Sequence, residues 1–189
     1  MRAMIEVRFH GRGGQGVVTA AHILADAIFR SQRFVQMIPI YGGERRGAPV
    51  TAFLRIDDEP IRITSQVENP DCVVVFDPLL PKMTDIEAGL KTEGVAVLNE
   101  TKPPEELRLY TRLSKIATVD ATDIAVEVFG RTAIPITGTV MVGAFTACTG
   151  WADPSLLLEV VRNRFPGEMG EKNVRAVKMG LEKTRVRNL

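Results

Sequence analysis

Cysteine is nearly missing from this chain of 189 residues: there are two, Cys72 and Cys148, with no C-x-x-C spacing. An ordinary iron–sulfur cluster takes four cysteine ligands or close substitutes, so none fits on this chain. Cys72 opens a strand-like run and Cys148 lies in an apolar helical stretch, and both read as small buried residues. Histidine is equally scarce. His10 and His22 are the only two, too few for a metal centre, and no metal is expected. No serine or cysteine stands beside an identifiable base, so no catalytic residue is assigned. The net charge is +1, which leaves no broad basic field and argues against a nucleic-acid surface. No apolar run approaches the length of a membrane span, and the first residues lack a signal-peptide core. The expected compartment is the cytoplasm.

What the chain does have is glycine in one place. The apolar run Met4–Phe9 leads into Gly11, Gly13, Gly14 and Gly16, and a helical pattern follows at once. Val17, Ala21, Leu24 and Ile28 recur on one face of that helix, while Thr19, His22, Asp26 and Arg30 line the other. Strand, glycine turn and helix make a Rossmann-like first βα unit. The backbone N–H groups of the turn, with the helix dipole behind them, form an anion site. Gly11, Gly13 and Gly16 match G-x-G-x-x-G, but a dinucleotide fold also needs a carboxylate about 20 residues on, at the end of the second strand. The second strand is expected at Phe34–Ile40, and residues 31–40 hold no Asp or Glu. Arg33 precedes that strand instead of ending it, and no G-K-[ST] follows the glycines. The glycines therefore serve either packing, through positive φ and close helix–strand approach, or a different ligand. Gln15, a polar amide between glycines, can donate to a phosphate or to a facing protein surface.

Tyr41–Val50 reads as a loop, broken by Gly42, Gly43, Gly47 and Pro49. Glu44, Arg45 and Arg46 follow the expected end of the second strand, where parallel sheets face their ligand crevice. The paired arginines suit a phosphate or a partner's carboxylates; a solvated charged loop is the alternative. Val50–Ile56 and Ile61–Ser65, joined by Asp57-Asp58-Glu59-Pro60, give a hairpin signal, with Arg55 and Arg62 on solvated positions. Cys72–Phe76 suits a strand buried on both faces, and Asp77-Pro78 after it reads as a helix cap. Met83–Leu90 is expected as a short helix, and Gly94–Leu98 and Lys115–Val119 as strands. Helices are expected at Asp120–Phe129, Gly138–Thr149, Ser155–Arg164 and roughly Glu171–Arg185. The second of these is apolar nearly all round and so central. Thr137-Gly138 before it is either a plain cap or a second anion site at a helix terminus. Trp151 is expected in packing, and His22 as a surface partner of Asp26. The whole reads as one domain, residues 1–189, of the α/β class. It is a three-layer α/β/α arrangement with a mixed, mostly parallel sheet and one β-hairpin.

Five blocks carry a resemblance: HGRGGQGVVTAAHILADA from His10, YGGERRGAPV from Tyr41, TAFLRIDDEPIRITS from Thr51, ENPDCVVVFD from Glu68 and FPGEMGEKNV from Phe165. In order and spacing they resemble the gamma subunit, or gamma domain, of the 2-oxoacid:ferredoxin oxidoreductases. The Glu-Arg-x-Gly-Ala-Pro wording is most similar to the pyruvate branch or its branched-chain relative. The resemblance implies a heteromeric enzyme that decarboxylates a 2-oxoacid oxidatively, passes electrons to ferredoxin and delivers the acyl group to coenzyme A. It implies alpha, beta and delta-type partner subunits that hold thiamine diphosphate, Mg and the iron–sulfur clusters, and it is compatible with a dimer of the heteromer. For this chain it implies help in binding coenzyme A and in subunit assembly. The contact residues would be Gly11, Arg12, Gly13, Gly14, Gln15, Gly16, Tyr41, Glu44, Arg45, Arg46, Thr137 and Gly138. A free-standing nucleotide-binding reductase using the glycine loop is the alternative from another class. A purely architectural subunit is a third.

Overall fold

The computed structural model describes residues 4–41, 47–107 and 113–189. Strand β1, Ile5–Arg12, runs into a tight turn, and α1, Val17–Arg30, leads back over it to β2, Phe34–Tyr41. Strand β3, Pro49–Asp57, returns antiparallel to β2 and inserts between β2 and β1. Then come β4, Cys72–Val75, β5, Gly94–Asn99, and β6, Leu113–Val119. Four helices follow: α2, Ala121–Phe129, α3, Gly138–Thr149, α4, Pro154–Arg164, and α5, Glu168–Lys183. Strand β7, Arg185–Asn188, closes the order. Among the described residues these strands form one mixed sheet, β2-β3-β1-β4-β5-β6-β7, in which only β3 and β7 run against the rest.

Handedness explains how the two faces are covered. From β1 the chain first moves to one side, through α1 to β2, and later to the other, through β4, β5 and β6. Right-handed crossovers in opposite directions run over opposite faces. Helix α1 accordingly packs on the face presented by Val7, Phe9, Leu54, Ile56 and Val74, and α2–α5 join it in one core. The connection from β4 to β5 packs Leu80 and Ile86 on the other face, against Val73, Val75, Ala96 and Leu98. The sheet is thus sandwiched, but among the described residues its third layer is built from irregular chain and two short 3-10 turns, Leu80–Lys82 and Pro104–Glu106, in place of α-helices. The short helix expected at Met83–Leu90 is absent: those residues form turns. Asp77 and two prolines, Pro78 and Pro81, restrict the start of that segment to one tight turn.

The hairpin also lies elsewhere than the turn signal suggests. It joins β2 to β3, whereas Ile61–Ser65 forms no strand. Arg55 is the reason that segment is held. It is 2% exposed, contrary to the solvated position expected for it. Its guanidinium donates to Glu6 Oε1 at 2.9 Å, Gln36 Oε1 at 3.0 Å and the Ser65 carbonyl at 2.8 Å. Gln36, Arg55 and Glu6 are register partners across β2, β3 and β1. Arg8 does the same for the next segment, donating to the carbonyls of Ile86 at 3.2 Å and Ala88 at 2.5 Å. Two buried arginines thus satisfy carbonyl groups of a layer that has no helices to do so internally.

Among the described residues no helix is long and apolar enough to cross a membrane. Helix α3 is buried nearly all round, as its sequence requires, and it crosses α5 closely where Gly143 meets Val177 and Gly180. Trp151 packs edge-on against Phe145. Asp26 pairs with Arg30, one turn onward, instead of with His22.

Candidate functional site

The sheet order places a topological switch point between β1 and β4, the two neighbouring parallel strands from which the chain departs in opposite directions. Ligand crevices of open α/β sheets lie there, at the carboxyl ends. Here Arg12 ends β1, and Asp77 follows β4 by two residues. They form an ion pair, Arg12 Nε donating to Asp77 Oδ2 at 2.9 Å. Gln15 completes the group. Its Nε2 donates to the same Oδ2 at 3.2 Å, and its Oε1 accepts from the Arg12 N–H at 2.8 Å. The amide expected to face a ligand is thus turned inward and is 4% exposed. The remaining Arg12 nitrogens donate to the Gly47 carbonyl at 3.2 Å and to Met83 Sδ at 3.1 Å.

Sequence context favours Asp77 as a cap over a functional residue at the strand's end. Its Oδ1 accepts the Leu79 N–H at 2.8 Å, but the 3-10 turn that follows begins at Leu80 with Leu79 in the cap position and no side-chain cap. Its second oxygen, however, anchors the glycine loop. The sequence holds a partial sign of this, since Asp77 stands at the end of a strand buried on both faces.

Each glycine has a distinct reason. Gly11 lies inside β1, not in the turn, because a side chain there would overlap Val17 and crowd Phe76. Gly14 and Gly16 carry φ of 102° and 84°, conformations that favour glycine. Gly13 exchanges backbone hydrogen bonds with Gly47–Ala48, donating to Ala48 O at 2.9 Å and accepting from Gly47 N at 3.1 Å. The glycine loop and the loop after β2 are therefore laced together. Tyr41 ends β2, opposite Val50. Glu44, Arg45 and Arg46 lie outside the described residues.

The second expected anion site lies against the first. Gly138 opens α3 directly beside Gly16: a methyl group on Gly138 would stand 2.9 Å from the Gly16 carbonyl oxygen. Neither α1 nor α3 has a side-chain cap or an acidic residue in its first turn. By contrast, Asp120 caps α2 and Asp153 caps α4. Two helix ends, each worth roughly half a positive charge, thus converge without internal neutralisation. Thr137 is fully buried there, and its hydroxyl has no hydrogen-bond partner among the described residues. Apolar side chains rim the loop. Ile134 lies beside Gly14 and Ile136 beside Gly16; Met83, in contact with Arg12, and Leu79, two residues after Asp77, are 66% and 54% exposed.

A separate cavity of about 550 Å³ opens beyond β4 and β5, lined by Asn99, Glu100, Asp120, Asp123 and Arg131 among others. Three carboxylates against one arginine make it a poor seat for a polyphosphate. His10, beside the loop in sequence, faces the opposite side and accepts a hydrogen bond from Arg8 Nε at 2.9 Å. Burial, reinforced by the Arg8 charge, lowers its pKa from 6.5 to about 4, so it stays neutral at physiological pH. Burial raises both thiols: Cys72 is pushed well up and Cys148 to about 11. Among the described residues no cluster of three His, Cys, Asp or Glu side chains could hold a metal. Cys72 and Cys148, both buried, are too few to ligate an ordinary iron–sulfur cluster.

Fold and site together define an α/β domain whose switch point is braced internally and whose free polarity lies at two touching helix termini. That is not the layout of a dinucleotide site. The family model described as pyruvate ferredoxin/flavodoxin oxidoreductase matches residues 6–183, and the chain belongs to that family. It is 52% identical over 185 residues to the pyruvate/ketoisovalerate oxidoreductases common subunit gamma of Pyrococcus furiosus, covering 97% of this chain and 98% of that one. It is 50% identical to pyruvate synthase subunit PorC of Methanothermobacter thermautotrophicus, covering 95% of each chain. A solved pyruvate oxidoreductase subunit PORC from Thermotoga maritima superposes with a TM-score of 0.84 at 38% identity, over 99% of this chain and all of that one. The resemblance carried by the five sequence blocks is borne out. The free-standing reductase reading is not what these relatives support.

Proposed function

We propose that this chain is the gamma subunit of a heteromeric 2-oxoacid:ferredoxin oxidoreductase, most closely the pyruvate type. In it the chain forms a single gamma-type domain that helps bind coenzyme A and completes the subunit assembly. The assembled enzyme oxidatively decarboxylates a 2-oxoacid, releases CO2, forms acyl-CoA and reduces ferredoxin. The carbon chemistry belongs to thiamine diphosphate and the electron path to iron–sulfur clusters, both on alpha, beta and delta-type partners in the cytoplasm. This chain contributes binding and shape.

One juxtaposition carries the ligand half of the reading: the uncapped ends of α1 and α3 meet at Gly16 and Gly138, so their positive ends face one small region. The phosphates of coenzyme A are multiply charged anions that the reaction supplies, and helix N-termini suit them. The exposed rim of Leu79, Met83 and Ile136 supports the assembly half, since a neighbouring subunit would cover it.

Hydrogen exchange on the assembled enzyme tests this. Coenzyme A is expected to slow exchange at residues 11–19 and 138–141. Replacing Arg45 and Arg46 together by alanine is expected to raise KM for coenzyme A or to weaken assembly. Unchanged exchange with coenzyme A, and unchanged kinetics and assembly in the double variant, would leave the chain as an architectural subunit only.

A further inference from the structure

We infer that Asp77 is a positioning residue for the reaction: a single carboxylate that fixes the glycine loop in its ligand-facing shape. The inference rests on the coenzyme A reading above and extends it to a residue outside the loop. Asp77 Oδ2 receives both Arg12 Nε and Gln15 Nε2, and Oδ1 receives the Leu79 N–H. Three donors from the end of β1, the residue before the α1 cap and the start of the next turn therefore converge on one side chain. Gln15 passes the constraint to the backbone by accepting the Arg12 N–H, and Arg12 passes it to Gly47 in the neighbouring loop.

Position and burial give the group its weight. It stands at the switch point, where neighbouring parallel strands part, and its side-chain bonds add to the two backbone bonds that tie Gly13 to Gly47 and Ala48. Gln15 and Asp77 are 4% and 7% exposed, so water does not replace a lost bond readily. Gly14 and Gly16 adopt positive φ, which glycine permits but does not itself enforce. Something must select that conformation, and the carboxylate does so from outside the loop. Asparagine cannot stand in, because its amide nitrogen would confront one of three donors.

The test uses the assembled enzyme with Asp77→Asn. Exchange at residues 12–18 is expected to quicken roughly tenfold, the scale of one charge-assisted hydrogen bond. KM for coenzyme A should rise several-fold, with a clearly smaller change in kcat and in KM for pyruvate. Exchange at the wild-type rate would overturn the positioning role. Faster exchange with unchanged KM for coenzyme A would sustain the brace and overturn the coenzyme A reading beneath it. If Asp77→Asn does not assemble, Arg12→Lys gives the second reading. It keeps a cation beside Asp77 but cannot serve Asp77 and Gly47 together. The same two effects are expected at smaller size, and their absence would overturn the inference.

Discussion

His10 couples this fold to acid. Its imidazole is held neutral by burial and by Arg8 down to about pH 4, whereas in the unfolded chain it takes a proton near 6.5. Between those values the unfolded state binds more protons, so stability falls as pH falls, and the loss is complete below about pH 4. At about 1.4 kcal/mol per pH unit the effect is on the order of 3–4 kcal/mol. His10→Gln retains an acceptor for Arg8 and lacks the titration. Denaturant unfolding between pH 4 and 6.5 should therefore show a shallower pH dependence in the variant, and an unchanged slope would remove His10 as its cause. At the same scale, Arg8 and Arg55 show what a single sequence conceals. Strand alternation puts both on the face away from the main core, which reads as solvent. Only the fold reveals that irregular chain covers that face and that the guanidinium groups hold its carbonyls.

At the scale of elements, α3 is the central packing unit, and its contact with α5 depends on two glycines. A methyl group on Gly143 would overlap the Val177 carbonyl, and one on Gly180 would overlap that of Val140. Gly143→Ala is expected to destabilise by about 1–3 kcal/mol through overpacking, read as a shifted urea midpoint with little change in slope. Adding Gly180→Ala should cost less than it does alone, because both act on one contact. Elements with strong periodicity or clean caps are legible in the sequence. Gly138–Thr149 agrees end to end, and Asp120 and Asp153 cap as their types require. Strand β7 is not legible. Arg185–Asn188 continues the charged pattern of α5, and its four residues are all exposed, so neither periodicity nor burial marks it. The hairpin is misplaced by sequence for a related reason: Asp57–Pro60 is a sound turn, but a turn alone does not supply a strand to follow it.

For the whole molecule, a glycine motif without a second-strand carboxylate already speaks against a dinucleotide on the residues alone. The fold supplies the physical counterpart. Strand β3 inserts between β1 and β2, and the Arg12–Asp77 pair braces the crevice. What sequence spacing cannot reveal is that Gly16 and Gly138, far apart along the chain, touch. Nor can it show that Asp77, a cap by its neighbours, belongs to the loop. As proposed, this chain works only as part of a larger oxidoreductase. The most direct measurement is anaerobic affinity purification of the tagged chain from its native host. Partner chains would be identified by mass, and viologen reduction assayed with pyruvate and coenzyme A. Copurifying thiamine diphosphate and iron–sulfur subunits, with activity that requires both substrates, is the expected result. A solitary chain under gentle anaerobic conditions, without that activity, would contradict the account.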